Sequence, residues 1–409
     1  MVKNVIVGQS GGPTAVINSS LAGVYKTAKD LGAVKVYGMR HGIHGFLEEN
    51  IVDMDEKIKS DVDLELLKRT PSAFLGSCRF KLPDVEKDKA TFEKIFELLK
   101  KYEIDAFFYI GGNDSMDTIK KLSDYAAEIN SPIRFIGVPK TIDNDLDVTD
   151  HTPGFGSAAK YIASVTKEII RDGLVYDFKN VTIIEIMGRN AGWLTAASAL
   201  AAGEDCEGVD GIYLPEVPFD IDKFVEKVGK LLETKSAVVM AVSEGIKTAD
   251  GKYVFEHGDH SEYVDAFGHK QLSGTAKYLA DLVSAKFGCK SRPVEFSTLQ
   301  RCGGHLTSLT DINEAFQVGG SAVKAASDGE TGMMVTLDRV SSHPYICTTG
   351  LYDVHMIANV EKKVPDEWIT EGGTFVSQEL VDYIRPLIQG ELTQVMIDGR
   401  PRHIVIDMQ

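Results

Sequence analysis

Asp143 and Asp145 stand two residues apart in the stretch GVPKTIDNDLD, residues 137–147. In an extended segment, residues i and i+2 face one side, so the two carboxylates share it. Such a pair suits a general base beside a divalent cation. Just ahead of it, Lys140 adds a cation and Thr141 a hydroxyl donor. A solvated acidic turn would carry the same letters, so the neighbouring motifs must decide.

Several do bear on it. FFYIGGNDSMDT, residues 107–118, is patterned as a buried strand, a Gly111-Gly112 turn and a helix start. A turn of this kind cradles phosphate with backbone N–H groups at a helix N-terminus. Ser115 is expected to cap that helix, and Asn113 and Asp114 offer oxygens to Mg2+. An N-cap with an acidic first turn is the plainer alternative. In GQSGGPTAVIN, residues 8–18, Gly11 and Gly12 let backbone approach a ligand, though the spacing matches no dinucleotide or P-loop fingerprint. Arg189 in MGRNAGW, residues 187–193, is placed to project from a strand end as a phosphate or transition-state clamp. EFSTLQRCGGH, residues 295–305, puts Arg301 before another Gly-Gly, with Arg292 nine residues upstream.

Two motifs are decoys. GFGSAA, residues 154–159, has dinucleotide spacing, but no buried strand precedes it. His257 and His260 form H-x-x-H without a Cys pair or a third ligand, which argues against zinc.

These residues need elements to hold them. Apolar runs at 4–8, 33–39, 105–112, 133–140, 180–188, 211–216, 236–245 and 331–338 read as strands. Helical patterns lie between them, as at 89–103 and 219–235. Continuous apolar strands alternating with amphipathic helices predict α/β architecture: two doubly wound, mostly parallel-sheet domains. Ligands then bind outside the carboxyl ends of strands, where the motifs fall. AGWLTAASALAAG, residues 191–203, reads as a buried helix, too short to span a bilayer. The polar stretch 248–271 reads as an insertion or lid.

The net charge is −16 over 409 residues, which argues against a nucleic-acid partner. A phosphate site must therefore be built from local cations and backbone N–H groups. Five widely spaced cysteines without C-x-x-C read as free thiols in a reducing compartment. No signal-peptide pattern or membrane span is visible, so a cytoplasmic location is expected.

The glycine-rich first loop, FLGSCRF, GGNDS, PKTIDND, MGR, SEG and LQRCGG occur in that order. Each is a modest signal, but the ordered set is specific. It resembles the phosphofructokinase family over most of the chain. The resemblance implies Mg2+-dependent phosphoryl transfer to the 1-hydroxyl of fructose 6-phosphate, yielding fructose 1,6-bisphosphate, by a homo-oligomer, dimer or tetramer. It implies a phosphoryl-donor site at Gly11, Gly12, Arg79, Gly112 and Ser115, with Asp114 and Lys140 setting donor selectivity. Asp143 would be the base, Thr141 a transition-state hydroxyl and Arg189 the arginine on the transferring group. Met187, Gly188, Arg189, Glu244, Arg292 and Arg301 would form the sugar-phosphate pocket with Thr141 and Asp143. Asn113, Asp114 and Asp145 would surround the metal. The implied domains are 1–150 plus 301–345 for the donor, and 151–300 plus 346–409 for the sugar, with the site in the cleft between them.

The chain departs from the ATP-using pattern, Gly-Gly-Asp-Gly-Ser and Pro-Gly-Thr-Ile-Asp-Asn-Asp. It has Asn113-Asp114 in the first motif and Lys140 in the second. Asp plus Lys at these places is similar to the pyrophosphate-dependent branch. Thr298 stands where many relatives have His or Tyr, and Asn180 where ATP-dependent tetramers often place an arginine. The expected donor is therefore diphosphate, released as phosphate. Asp114 fills the space of a nucleotide α-phosphate and repels it. Two unit charges about 4 Å apart interact by roughly 4 kcal/mol at an effective dielectric near 20. Lys140 offers diphosphate a countercharge and is expected to pair with Asp114. The competing readings are an ATP- or ADP-dependent enzyme and a non-catalytic regulatory subunit. Asp143, Asp145, Arg189 and Lys140 together disfavour the latter.

Overall fold

The computed structural model describes residues 2–258, 272–357 and 361–406. Its strands form two main sheets. In the first lie β1 (Asn4–Gln9), β2 (Lys35–Met39), β3 (Ile51–Asp53), β4 (Ala106–Gly111) and β5 (Arg134–Pro139). The second holds β6 (Asn180–Ile186), β7 (Gly211–Tyr213), β8 (Ala237–Ser243) and β9 (Lys290–Glu295). The chain then returns to the first with β10 (Met333–Ser342) and β11 (Tyr345–Asp353). The orders are β11-β10-β5-β4-β1-β2-β3 and β7-β8-β6-β9. All pairs are parallel except β2 with β3 and β10 with β11. Every residue of β4, β6 and β8 is buried. Their unbroken apolar runs reflect helices on both faces. The α/β expectation of two mostly parallel sheets therefore holds.

Two of the helices begin at side-chain caps. Asp88 accepts from the Thr91 N–H ahead of Lys89–Lys101, and Ser308 from the Asp311 N–H ahead of Leu309–Asp328. The expected helix at 191–203 is shorter and tighter: Trp193–Ala196 is α-helical and Ala197–Ala201 is 3-10. Nearly all of it is buried, as expected.

The domain boundary expected at 345 falls at the start of β11, which pairs along its length with β10. Both strands of this hairpin belong to the first sheet. Within 248–271, residues 248–258 make a turn that buries Val254 against the second sheet's core, and Phe255 is buried beside it in the sequence. Residues 259–271 lie outside the described residues, and so does His260. His257 Nε2 lies 3.2 Å from the Thr248 hydroxyl. None of the five cysteines forms a disulfide. Among the described residues, no helix is long and apolar enough to cross a membrane.

Candidate active site

The loop after β5 carries the acid pair, and local bonds hold its shape. Asn144 adopts φ 54°, the left-handed region that Asn tolerates. Its Oδ1 accepts from the Thr152 N–H at 3.1 Å, and its Nδ2 donates to the Tyr383 hydroxyl at 3.0 Å. The Thr152 hydroxyl donates to the Thr141 carbonyl at 2.8 Å. Asp143 and Asp145 are thereby aimed into a cleft of about 690 Å3. The Thr141 hydroxyl donates to Asp143 Oδ2 at 3.3 Å and accepts from the Asp143 N–H at 3.1 Å. Asn144 was not singled out from the sequence; its signal was its place inside the TIDND turn.

The cleft gathers residues from both sheets. Gly12, Arg79, Lys140, Thr141, Asp143 and Asp145 line it with Met187, Gly188, Arg189, Glu244 and Arg301. Thr298 lies there too, as do Glu185, Glu295 and Glu361, which the sequence reading did not single out.

Close approach explains two of the glycines. Gly11 has φ +75°, and a Cβ there would lie 3.2 Å from Lys140 Nζ. A Cβ on Gly245, in the SEG motif, would sit 2.0 Å from the Arg189 carbonyl oxygen. Gly245 thus lets the Arg189 backbone lie against the end of β8. Gly188 also has a positive φ, which lets the chain turn out of β6 into Arg189.

Cations face the acids. Lys140 is 3% exposed, and its ammonium donates to the Gly12 carbonyl at 2.8 Å. Burial pushes its pKa down to about 8, opposed by Asp143 and Asp145. A Cβ on Gly12 would lie 3.2 Å from an Arg301 guanidinium nitrogen. Arg301 therefore reaches the first glycine loop, and burial with Arg79 nearby lowers its pKa. The carboxyls move the other way. Burial raises the Asp143 pKa, and burial with Asp143 beside it lifts Asp145 to about 7. Burial and Asp143 lift Glu244 to about 8.

The GGNDS loop lies beside this cavity rather than in its wall. A Cβ on Gly112 would meet the Lys140 carbonyl at 3.6 Å, an ordinary contact. Asn113 Nδ2 lies 3.5 Å from Asp145 Oδ2, while its Oδ1 is buried without a partner. Turning the amide over keeps its shape and brings two oxygens together. Oxygens so placed, one an amide carbonyl and the other a carboxylate, are donors of the kind a hard divalent cation takes. The residues present therefore fit Mg2+ at Asn113 and Asp145.

Three expectations need correction. Ser115 does not cap its helix: Asn113–Glu128 starts two residues earlier, and Gly112 holds the cap position. The Ser115 side chain packs over Gly111 instead, 1.8 Å from where a Cβ would be. Asp114 does not pair with Lys140. Its side chain is 62% exposed and faces Lys81 at 4.0 Å, because the first helical turn points it outward. Arg292 does not enter the cleft. It lies on the edge strand β9, bonded to Asp172 at 3.1 Å and stacked on Tyr176.

Buried carboxylates facing a lysine and arginines across a two-sheet cleft define a phosphoryl-transfer enzyme, with an acceptor base on one loop and anion contacts on the others. The phosphofructokinase family model matches residues 4–326. Pyrophosphate–fructose 6-phosphate 1-phosphotransferase of Halomonas elongata is 38% identical over 403 residues, 98% of this chain and 95% of the relative. The protein of that name from Xanthomonas campestris pv. campestris is 40% identical over 404 residues, again 98% and 95%. The crystal structure of a pyrophosphate-dependent phosphofructokinase from Nitrosospira multiformis superposes with a TM-score of 0.88 at 38% identity, covering 98% of this chain and 96% of that one. The chain belongs to the phosphofructokinase family, and it is a phosphotransferase.

Proposed function

We propose that this chain transfers a phosphoryl group from diphosphate to the 1-hydroxyl of fructose 6-phosphate. The products are fructose 1,6-bisphosphate and phosphate. Its relatives carry the matching name. The observation that carries the donor assignment is Lys140, buried across the glycine-rich loop with Arg79 and Arg301 lining the same cleft. These cations can neutralise a compact, highly charged donor. The Lys140 side chain fills space that a glycine would leave open.

Asp143 takes the proton of the 1-hydroxyl. A carboxyl raised toward neutrality is the more effective base there. Thr141 aims it, and Arg189 meets the charge on the transferring group. Met187, Gly188 and Glu244 frame the sugar, with Arg301 within reach of either phosphate. Mg2+, held by Asn113 and Asp145, supplies further charge neutralisation when bound. Asp114 acts from outside the cavity, through the charge of its exposed carboxylate. Residues 1–150 with the return segment form the donor side, and the second sheet the sugar side. The protein assembles as a homo-oligomer in the cytoplasm. Arg292, turned to the surface beside Asp172 and Tyr176, serves another copy's sugar phosphate.

The bonds broken and made are alike in type, so the reaction runs readily both ways. Phosphorus NMR tests this directly. Diphosphate and fructose 6-phosphate should be consumed with Mg2+ present, and fructose 1,6-bisphosphate with phosphate should regenerate diphosphate. Fructose 1,6-bisphosphate formed from ATP but not from diphosphate overturns the reading.

A further inference from the structure

The C-terminal part of the chain reaches the active loop. Glu361 bridges Leu146 in an antiparallel pairing, and the Lys362 N–H donates to the Asp145 carbonyl at 2.9 Å. The Lys362 ammonium donates to the Thr149 carbonyl at 3.1 Å and also to that of Asp150. The same few residues hold the Arg189 loop. Asn190 Nδ2 donates to Glu361 Oε1 at 2.9 Å, and the Trp193 indole N–H donates to the Lys362 carbonyl at 2.9 Å. Glu361 also lines the cleft.

We propose that residues 361–364 form a strap that positions Asp143 and Asp145 against Arg189, with Glu361 as a positioning residue at the active centre. The proposal rests on the phosphoryl-transfer reading above. The base loop follows β5 of the first sheet, and the Arg189 loop follows β6 of the second. Distinct sheets do not hold two loops in register by themselves. The strap bonds both within two consecutive residues, one carrying the carboxylate and the other the ammonium. Tyr383 completes the hold: its hydroxyl donates to the Asp150 carbonyl at 2.5 Å and accepts from Asn144. Its ring packs at a tilt against those of Trp193 and Trp368.

Three variants test this, Tyr383→Phe, Glu361→Ala and the conservative Glu361→Gln, with wild type assayed alongside. Loss of positioning by about 1 Å can cost up to about 100-fold in rate. Tyr383→Phe should lower kcat by roughly tenfold or more while the KM values for both substrates stay within about twofold. Glu361→Ala removes the oxygen that accepts from Asn190 and should lower kcat to a similar extent. Glu361→Gln keeps an accepting oxygen there and should restore most of that kcat. A strap that only stabilised the fold would lower the melting temperature and leave kcat in place. Wild-type kcat in Tyr383→Phe or in Glu361→Ala, or no recovery in Glu361→Gln, overturns the proposal. An inactive wild type instead overturns the function itself.

Discussion

Asp143 depends on its neighbours for its use as a base. Thr141 orients it, and buried surroundings raise its pKa. Asp143→Asn keeps the shape and removes the proton acceptor. Its kcat should fall by about 10²- to 10⁴-fold with little change in substrate KM, read by steady-state kinetics. The donor residues divide differently from the expectation. Asp114 is solvent-exposed. In water-like dielectric, its repulsion at about 4 Å is worth only ~1 kcal/mol, roughly fivefold. Lys140 is buried, so its charge is screened far less. Lys140→Met should therefore cost more diphosphate kcat/KM than Asp114→Gly does. The double variant Asp114→Gly with Lys140→Gly should weaken diphosphate use and admit some ATP. Equal diphosphate losses in the two single variants would contradict this ranking. The sequence names Asp143, Thr141, Lys140 and Arg189 correctly as cleft residues because each follows a strand whose apolar run is plain. It misplaces Arg292 and the partner of Asp114, since which way a side chain leaves an edge strand or a first helical turn depends on tertiary neighbours.

At the scale of elements, the site is a set of strand-end loops held by close backbone approach. Gly245 illustrates it, with the Arg189 carbonyl lying where a Cβ would be. Gly245→Ala must push the Arg189 loop away. It should reduce kcat by about 10- to 100-fold, while far-ultraviolet circular dichroism stays unchanged. Unaltered turnover would mean that Arg189 does not need this seat. The eight strands expected from the sequence are present, though their ends differ by a few residues. β9 was missed because it is a half-exposed edge interrupted by Pro293, with no apolar run. The strap was missed for a related reason. Glu361 forms an isolated bridge with Leu146 rather than a strand, and the polar letters of Glu361 and Lys362 give no periodic signal.

Over the whole molecule, acids outnumber bases in the cleft, although the fold assembles it from two sheets. Glu185, Glu244 and Asp145 have pKa values raised to about 7, 8 and 7, largely by burial. Arg189 opposes this for Glu244 and Lys140 for Asp145, and Glu185 also accepts from the Ala276 N–H. Raised carboxyl pKa values mean that the folded state holds more protons than the unfolded one between about pH 4 and 8. Their contribution to stability is fully present below the unfolded values and is lost as pH rises through the folded ones. A bound divalent cation offsets that loss. With a chelator, the melting temperature should fall from pH 6 to pH 8. With Mg2+ the fall should be smaller, and Asn113→Ala should reduce the benefit of Mg2+. A benefit independent of pH would contradict this account of the cleft.

The most direct measurement compares phosphoryl donors on the full chain with fructose 6-phosphate and Mg2+. Diphosphate, ATP and ADP are each assayed for kcat/KM in fructose 1,6-bisphosphate formation. The account predicts that diphosphate exceeds ATP and ADP by at least about 100-fold, roughly 2.7 kcal/mol. Equal or better turnover with either nucleotide would contradict it.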